Sequence, residues 1–262
     1  MVVINKKYNK TFIIANLGIN HNGSVEIVKK LVDGAKFAGV DAIQLLKRDV
    51  KKNFNLNELN KQLNSPWGKT LLDQKLGLEL NKDDFDEIDS YCKKKGIHWF
   101  ASAYDISSKE FLNQYNLKYN KVTTKIISNI DLIKKIAAEK KYTFILVDRE
   151  QIDKTKEVIK IFNEANCQFE LMYFPGFLPI KKEEINLLMI PFLREKFNSK
   201  IGYVSNETGI ITACAAIALG VNSIEKHITL DRTMYGSDQA ASIELSDLYL
   251  FVKYIRTIEK SL

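Results

Sequence analysis

Glu225, His227, Asp231 and Arg232 stand within eight residues of one another in the run Ile224-Glu225-Lys226-His227-Ile228-Thr229-Leu230-Asp231-Arg232, which continues through Gly236, Asp238 and Ser242. Two carboxylates, an imidazole and a guanidinium so close together, directly behind the apolar segment Ala213–Leu219, exceed what a purely structural strand needs. Side chains alternate along an extended strand, so Glu225 and His227 face the same way. An imidazole held beside a carboxylate suits a metal ligand or a general base, and the rest of the chain must bring it partners.

The positioning elements follow from hydrophobic periodicity. Thr11–Asn16 is a β-branched apolar run, followed by the polar loop Gly18–Gly23. A helix then opens at Ser24, carries Val28, Leu31, Val32 and Ala35 on one face and closes at Gly39. The same strand, loop and helix unit recurs. Strands are predicted at Asp41–Leu46, Ile97–Ser102, Tyr119–Thr123, Tyr142–Val147, Gln168–Tyr173, Ile201–Val204 and Asn222–Ile228. Helices are predicted from Asn81 to Lys95, from Ser107, from Asn129, to about Ala165, to about Phe197 after a loop with Pro175 and Pro179, over Thr212–Leu219, and from a Ser246 cap to the end. A long loop spans about 48–80. About eight such units with apolar strands predict a parallel α/β fold, closed as a (β/α)8 TIM barrel in a single domain over 1–262. An open doubly wound sheet competes, but no GxGxxG follows the first strand.

Composition narrows the function. The net charge of +7 arises mainly from lysine clusters such as Lys93-Lys94-Lys95 at predicted helix ends, where the helix dipole favours cations. No arginine-rich stripe interleaved with aromatics points to nucleic acid. No apolar run approaches the roughly 20 residues of a membrane span. Cys92, Cys167 and Cys214 are scattered and odd in number, which argues against a disulfide framework or a cysteine zinc site and for the reducing cytoplasm. A diffuse positive field helps gather an anionic small molecule.

In a β/α barrel the chemistry collects where strands hand residues to the loops that follow. Those positions hold Asn16, Asn20, His21 and Asn22; Gln44, Lys47, Arg48 and Asp49; Ser102, Tyr104 and Asp105; Lys121, Thr123, Thr124 and Lys125; Asp148, Arg149 and Glu150; Tyr173; Ser205, Asn206 and Glu207; and Glu225, His227, Asp231, Arg232 and Asp238. Such a ring can hold an anion and a metal. His98, at the start of a strand beside Trp99, is expected to be buried for structural reasons, and Trp67-Gly68-Lys69 to serve as a lid or dimer contact.

The segment Ile13-Ile14-Ala15-Asn16-Leu17-Gly18-Ile19-Asn20-His21-Asn22-Gly23 resembles the first strand and loop of the sialic acid synthase family. Ser65-Pro66-Trp67-Gly68-Lys69, Lys121-Val122-Thr123-Thr124, Gly202-Tyr203-Val204-Ser205-Asn206 and Ile224–Arg232 with Gly236 and Asp238 follow in the order of that family. The resemblance implies a barrel enzyme that condenses phosphoenolpyruvate with an open-chain acylated amino sugar aldehyde, giving a nonulosonic (sialic-type) acid and phosphate for polysaccharide biosynthesis. It also implies a divalent metal, manganese or magnesium, that polarises the aldehyde oxygen.

Carried onto this chain, the resemblance gives Lys121, His227 and Asp238 catalytic roles. It gives Ser102 and Thr124 to the substrates and His227 to the metal; this chain's own strand-end residues add Asn20, His21, Gln44, Arg149 and Ser205 as substrate candidates and Asn206 and Glu207 as oxygen donors to the metal. The chain departs from the family pattern at Asn16, where a glutamate is usual, at Gln44, where a lysine is usual, at Val147-Asp148-Arg149, and at Asn206, where a histidine is usual. A neutral amide loses the charge assistance of a lysine toward phosphate, and Arg149 is the candidate replacement. Family members continue into an antifreeze-like domain, which is not expected within 1–262. The partners implied are therefore a homodimer or a separate capping-domain protein. The competing expectation is a barrel that has lost the reaction and binds a sugar or a partner, or that catalyses another sugar reaction.

Overall fold

Eight parallel strands wind into one sheet: β1 (Phe12–Asn16), β2 (Ala42–Lys47), β3 (His98–Ala103), β4 (Tyr119–Val122), β5 (Tyr142–Val147), β6 (Phe169–Tyr173), β7 (Ile201–Ser205) and β8 (Ser223–Thr229). The structure is a computed structural model and describes residues 10–177 and 180–262, so Pro179 of the expected proline-bearing loop lies outside the described residues. The hydrogen-bonded order is β3-β2-β1-β8-β7-β6-β5-β4, and the end strands β3 and β4 lie side by side, bringing the sheet nearly to closure as a barrel.

The helices follow the strands in turn: α1 (Val25–Ala38), α2 (Lys82–Lys95), α3 (Ile106–Leu112), α4 (Ile130–Ala138), α5 (Ile152–Glu164), α6 (Met189–Phe197), α7 (Ile211–Ala218) and α8 (Leu245–Ser261). Their ends obey local rules. Ser24, Asn81, Asp105 and Asn129 each accept a first-turn N–H, and Gly39 and Gly96 close α1 and α2 in the left-handed conformation. Helix α3 starts one residue earlier than the sequence predicts because Asp105, not Ser107, is the cap. Helix α8 starts at Leu245 without a side-chain cap, because Ile243–Glu244 pairs with β8 instead.

The two faces of the sheet bury different cores. Outward residues such as Ile13, Ala15, Ile43, Leu45, Val122 and Ile145 pack under the helices. The barrel interior is filled by Ile14, Ala42, Phe100, Phe144, Leu146, Met172, Phe174 and Val204. Below them, at the strand starts, the rings of Phe12, Tyr119 and Tyr142 pack against Phe144, with centroids 5.1 Å apart for Phe12–Tyr119 and 5.5 Å for the edge-on pair Tyr142–Phe144. His98 sits at this end but is exposed rather than buried, within 3.2 Å of Lys118 Nζ. As the first residue of its strand, it projects past the sheet.

The expected loop 48–80 is an ordered excursion. A hairpin pairs Gln62–Ser65 with Gly68–Thr70, and the short helix Leu71–Gly77 follows with a Thr70–Asp73 capping box. Trp67 covers Gly77, where a Cβ would lie 2.0 Å from the indole. The indole also meets the Tyr235 ring edge-on at 5.5 Å, and Gln74 donates to the Tyr235 hydroxyl at 2.7 Å. The excursion is thereby docked on the loop after β8, across the mouth of the barrel.

Candidate active site

Strand register builds the floor of the site. Asn16 of β1 lies opposite both Gln44 of β2 and His227 of β8, which places three inward polar residues in one row. One period below, Glu225 points the same way. Asn16 Nδ2 donates to Glu225 Oε1 at 2.8 Å and lies 3.1 Å from His227 Nε2, while Asn16 Oδ1 accepts from the Gly18 N–H at 2.8 Å. Gly18 is left-handed (φ +51°), and a Cβ there would stand 3.1 Å from His227 Cε1, so a glycine lets the loop close over the imidazole.

Lys121 enters from β4. Its ammonium donates to Gln44 Oε1 at 2.7 Å and to Glu225 Oε2 at 2.5 Å, and both members of the ion pair are buried. Burial pulls the Lys121 pKa down against the attraction of Glu225. An ammonium has three hydrogens, so one is left for a ligand. Gln44 is turned by Ser102, whose hydroxyl accepts from Gln44 Nε2 at 3.1 Å.

Above this floor opens a cavity of about 270 Å³, walled by Asn16, Gln44, Lys121, Thr123, Thr124, Asn206, Glu225, His227 and Asp238 and rimmed by Arg48, Lys75, Tyr104, Lys125 and Phe177. Four cations (Arg48, Lys75, Lys121, Lys125) thus face two carboxylates (Glu225, Asp238). Arg48 Nε bonds Glu79 at 2.5 Å, while its buried Nη2 has no partner. Arg48 and Lys75 both stand over the Phe54 ring, at 5.6 and 5.4 Å. Burial lowers the Lys75 pKa, and the neighbouring Arg48 and Lys125 lower it further. Even with Arg48 paired to Glu79, the rim keeps an excess of positive charge, which favours an anion.

The expected site residues separate into two groups. Lys121, His227, Asp238, Gln44, Thr124 and Asn206 converge on the cavity. Ser102 lies behind Gln44 and orients it. Asn20 and His21 do not line the cavity. Asn20 ties the first loop to Ile228 O and Ser242 Oγ, both at 2.8 Å, and His21 Nδ1 accepts from the Gly23 N–H at 3.1 Å. Burial drops the His21 pKa to about 4, so the ring is a neutral turn-fixing group. Arg149 is exposed and off the cavity wall, and the extra cations are Arg48, Lys75 and Lys125 instead. Arg48 and Lys125 occupy strand-end positions and were open to that reading. Lys75 gives no signal in the sequence, because only the folding back of residues 62–77 carries it to the mouth.

The expected metal set divides as well. Glu207 is buried with its carboxylate turned to the Tyr203 hydroxyl at 2.9 Å and to Ser205 Oγ at 2.8 Å, away from the cavity. Ser205 and the main chain of Glu207 are held in turn by Lys226. Among the described residues no three His, Cys, Asp or Glu side chains are grouped to hold a cation. His227 and Asn206 line the cavity, and His227 Nδ1 and Asn206 Oδ1 are buried and without partners. With no group of three His, Cys, Asp or Glu side chains beside them, the donor set does not fit a divalent metal.

Residues 31–262 match the family described as the NeuB family. The chain is 34% identical over 254 residues to the N-acetylneuraminate-9-phosphate synthase of Mus musculus, covering 96% of this chain and 71% of that protein. It is 30% identical over 263 residues to the N,N'-diacetyllegionaminic acid synthase of Campylobacter jejuni, covering 97% and 78%. The N-acetylneuraminic acid synthetase of Leptospira borgpetersenii, solved in complex with citrate, superposes with a TM-score of 0.87 at 26% identity over 100% of this chain and 89% of that one. No helix among the described residues is long and apolar enough to cross a membrane. With the barrel, the motif order and these likenesses in agreement, the chain belongs to the NeuB family, the sialic acid synthases.

Proposed function

We propose that this chain condenses phosphoenolpyruvate with an acylated amino sugar aldehyde that carries a phosphate on its terminal hydroxyl. In this reaction a C–C bond forms between the phosphoenolpyruvate methylene carbon and the aldehyde carbon. Water adds to the carbon bearing the phosphate ester, and that C–O bond breaks. One phosphoenolpyruvate, one aldehyde phosphate and one water give one nonulosonic acid, which keeps its terminal phosphate, and one inorganic phosphate. The observation that carries the reading is the charge layout of the cavity: Lys121 at the floor and Arg48, Lys75 and Lys125 at the rim.

The floor suits phosphoenolpyruvate. The free hydrogen of Lys121 and the hydroxyls of Thr123 and Thr124 offer donors to a phosphate or carboxylate from buried side chains, where charge-assisted bonds are strong. Glu225 and Gln44 hold the ammonium in place. The rim cations lie farther out. Arg48 is four residues beyond Gln44, roughly 13 Å along the strand direction at about 3.3 Å per residue. They suit a second anion at the far end of the aldehyde, and the name of the Mus musculus relative, a 9-phosphate synthase, supports such a substrate. The homodimer or separate capping chain implied by the resemblance belongs to this proposal and is read by light scattering of the purified protein.

Phosphate release is the test, with phosphoenolpyruvate and acylated hexosamines offered with and without the terminal phosphate. The phosphorylated aldehydes are expected to react with kcat/KM at least about tenfold higher, the worth of one charge-assisted bond. Lys75→Ala should shrink that preference. No release with any aldehyde refutes the reading.

A further inference from the structure

We infer that His227 meets the substrate as a hydrogen-bond donor through Nδ1, in a site that works without a divalent metal, and that Asn16 is the residue that sets this. The inference rests on the condensation proposed above. Its evidence is a proton count around one amide.

Asn16 has two amide hydrogens and they have two acceptors, Glu225 Oε1 at 2.8 Å and His227 Nε2 at 3.1 Å. Its carbonyl is occupied by the Gly18 N–H at 2.8 Å. Turning the amide over would set its carbonyl against a carboxylate and its NH2 against a backbone N–H, replacing attraction with repulsion at both ends. Three neighbours therefore fix the amide orientation. With Nε2 accepting, the hydrogen of the neutral ring is on Nδ1. That nitrogen is buried and without a partner, on a ring that lines the cavity.

The second donor expected for a metal has changed in the same sense. Asn206 spends its NH2 on Gly176 O at 2.8 Å, which leaves a buried Oδ1 with no partner on the same wall. The wall thus offers one N–H and one C=O, the complement of a carbonyl or hydroxyl group rather than of a cation, which needs lone pairs from both. A carboxylate at position 16, usual in the family pattern, would accept from Nε2–H and free the Nδ1 lone pair; an amide in that place does the reverse. In the proposed reaction, Nδ1–H points its dipole at the aldehyde oxygen where negative charge develops, and Asn206 Oδ1 orients a substrate hydroxyl.

The tautomer is directly measurable. In long-range 1H–15N spectra of histidine-labelled protein, with His227→Gln identifying the resonance, His227 is expected as the Nδ1–H form, and the Nε2–H form would overturn the inference. Free manganese(II), followed by its EPR signal without substrate, is expected to remain free beside the native protein and to be bound by the Asn16→Glu, Asn206→His double variant. One-to-one loss of the signal with native protein, abolished by His227→Gln, also overturns it. If the variant does not fold, the native-protein spectra still decide. Neither readout needs turnover, so a failure of the condensation would appear separately, as absence of phosphate release.

Discussion

The two ends of the barrel handle buried polarity in opposite ways. At the strand starts, the Glu170 carboxylate receives the Ser223 hydroxyl at 2.5 Å and the Tyr142 hydroxyl at 2.9 Å, under a plug of Phe12, Tyr119, Phe144 and Phe100 rings. At the strand ends and the loops beyond them lie the buried side-chain atoms that have no partner among the described residues, including Arg48 Nη2, Thr123 Oγ1, Asn206 Oδ1 and His227 Nδ1. An unsatisfied buried polar atom costs free energy, so a fold tolerates it where a ligand completes the bond. One end of the barrel is built for stability, and the other keeps donors and acceptors open.

Substitutions at each end sharpen that contrast. Lys121→Met strands Glu225 as an unpaired buried charge. The expected cost is about 3–5 kcal/mol of stability, read by denaturant unfolding, together with loss of phosphate release. Stability unchanged would show that the buried Lys121–Glu225 pair does not hold the floor. Phe144→Ala opens a cavity in the plug at a similar cost, about 3–5 kcal/mol, and should leave the KM for phosphoenolpyruvate close to native. A KM shift as large as that of the Lys121 variant would erase the division between the ends.

The pH dependence separates them further. The folded-state pKa of His21 is depressed to about 4 from 6.5, so the unfolded chain binds the proton more tightly. Its contribution is complete above pH 6.5 and is lost as pH falls toward 4. Over 2.5 pH units this is at most about 3 kcal/mol. The midpoint of urea unfolding should fall across that window, and less steeply in His21→Gln. At the closed end burial raises the Glu170 pKa, so ionising it costs folded-state stability as pH rises from the unfolded value through the folded one. Glu170→Gln should flatten the high-pH side of the profile, the smallest of these effects.

Much of the barrel was legible because strand burial and helix capping are local. The apolar runs, Ser24, Asn81, Gly39 and Gly96 announce β1, α1 and α2 without knowledge of any other residue. The hairpin and short helix of residues 62–77 were not legible, since Trp67 and Gln74 are ordered by Tyr235, which lies far along the chain. His21 and Arg149 show the limit of strand-end reasoning: the position places a residue near the mouth, but its loop decides whether the side chain faces the cavity.

The sequence by itself determined the parallel barrel, the family resemblance and the candidacy of Lys121, His227 and Asp238, because periodicity and motif order are properties of the chain. Only the tertiary structure decided which lone pairs and hydrogens those residues present. The state of the His227 ring depends on an amide from β1, a carboxylate from β8 and a backbone N–H from the loop after β1 meeting at one point. Lys75 becomes a rim cation through a docked excursion, and Glu207 leaves the site through two hydroxyls of β7, the strand before it. Proton positions and side-chain directions are set by neighbours brought together in space, and spacing along the chain does not encode them.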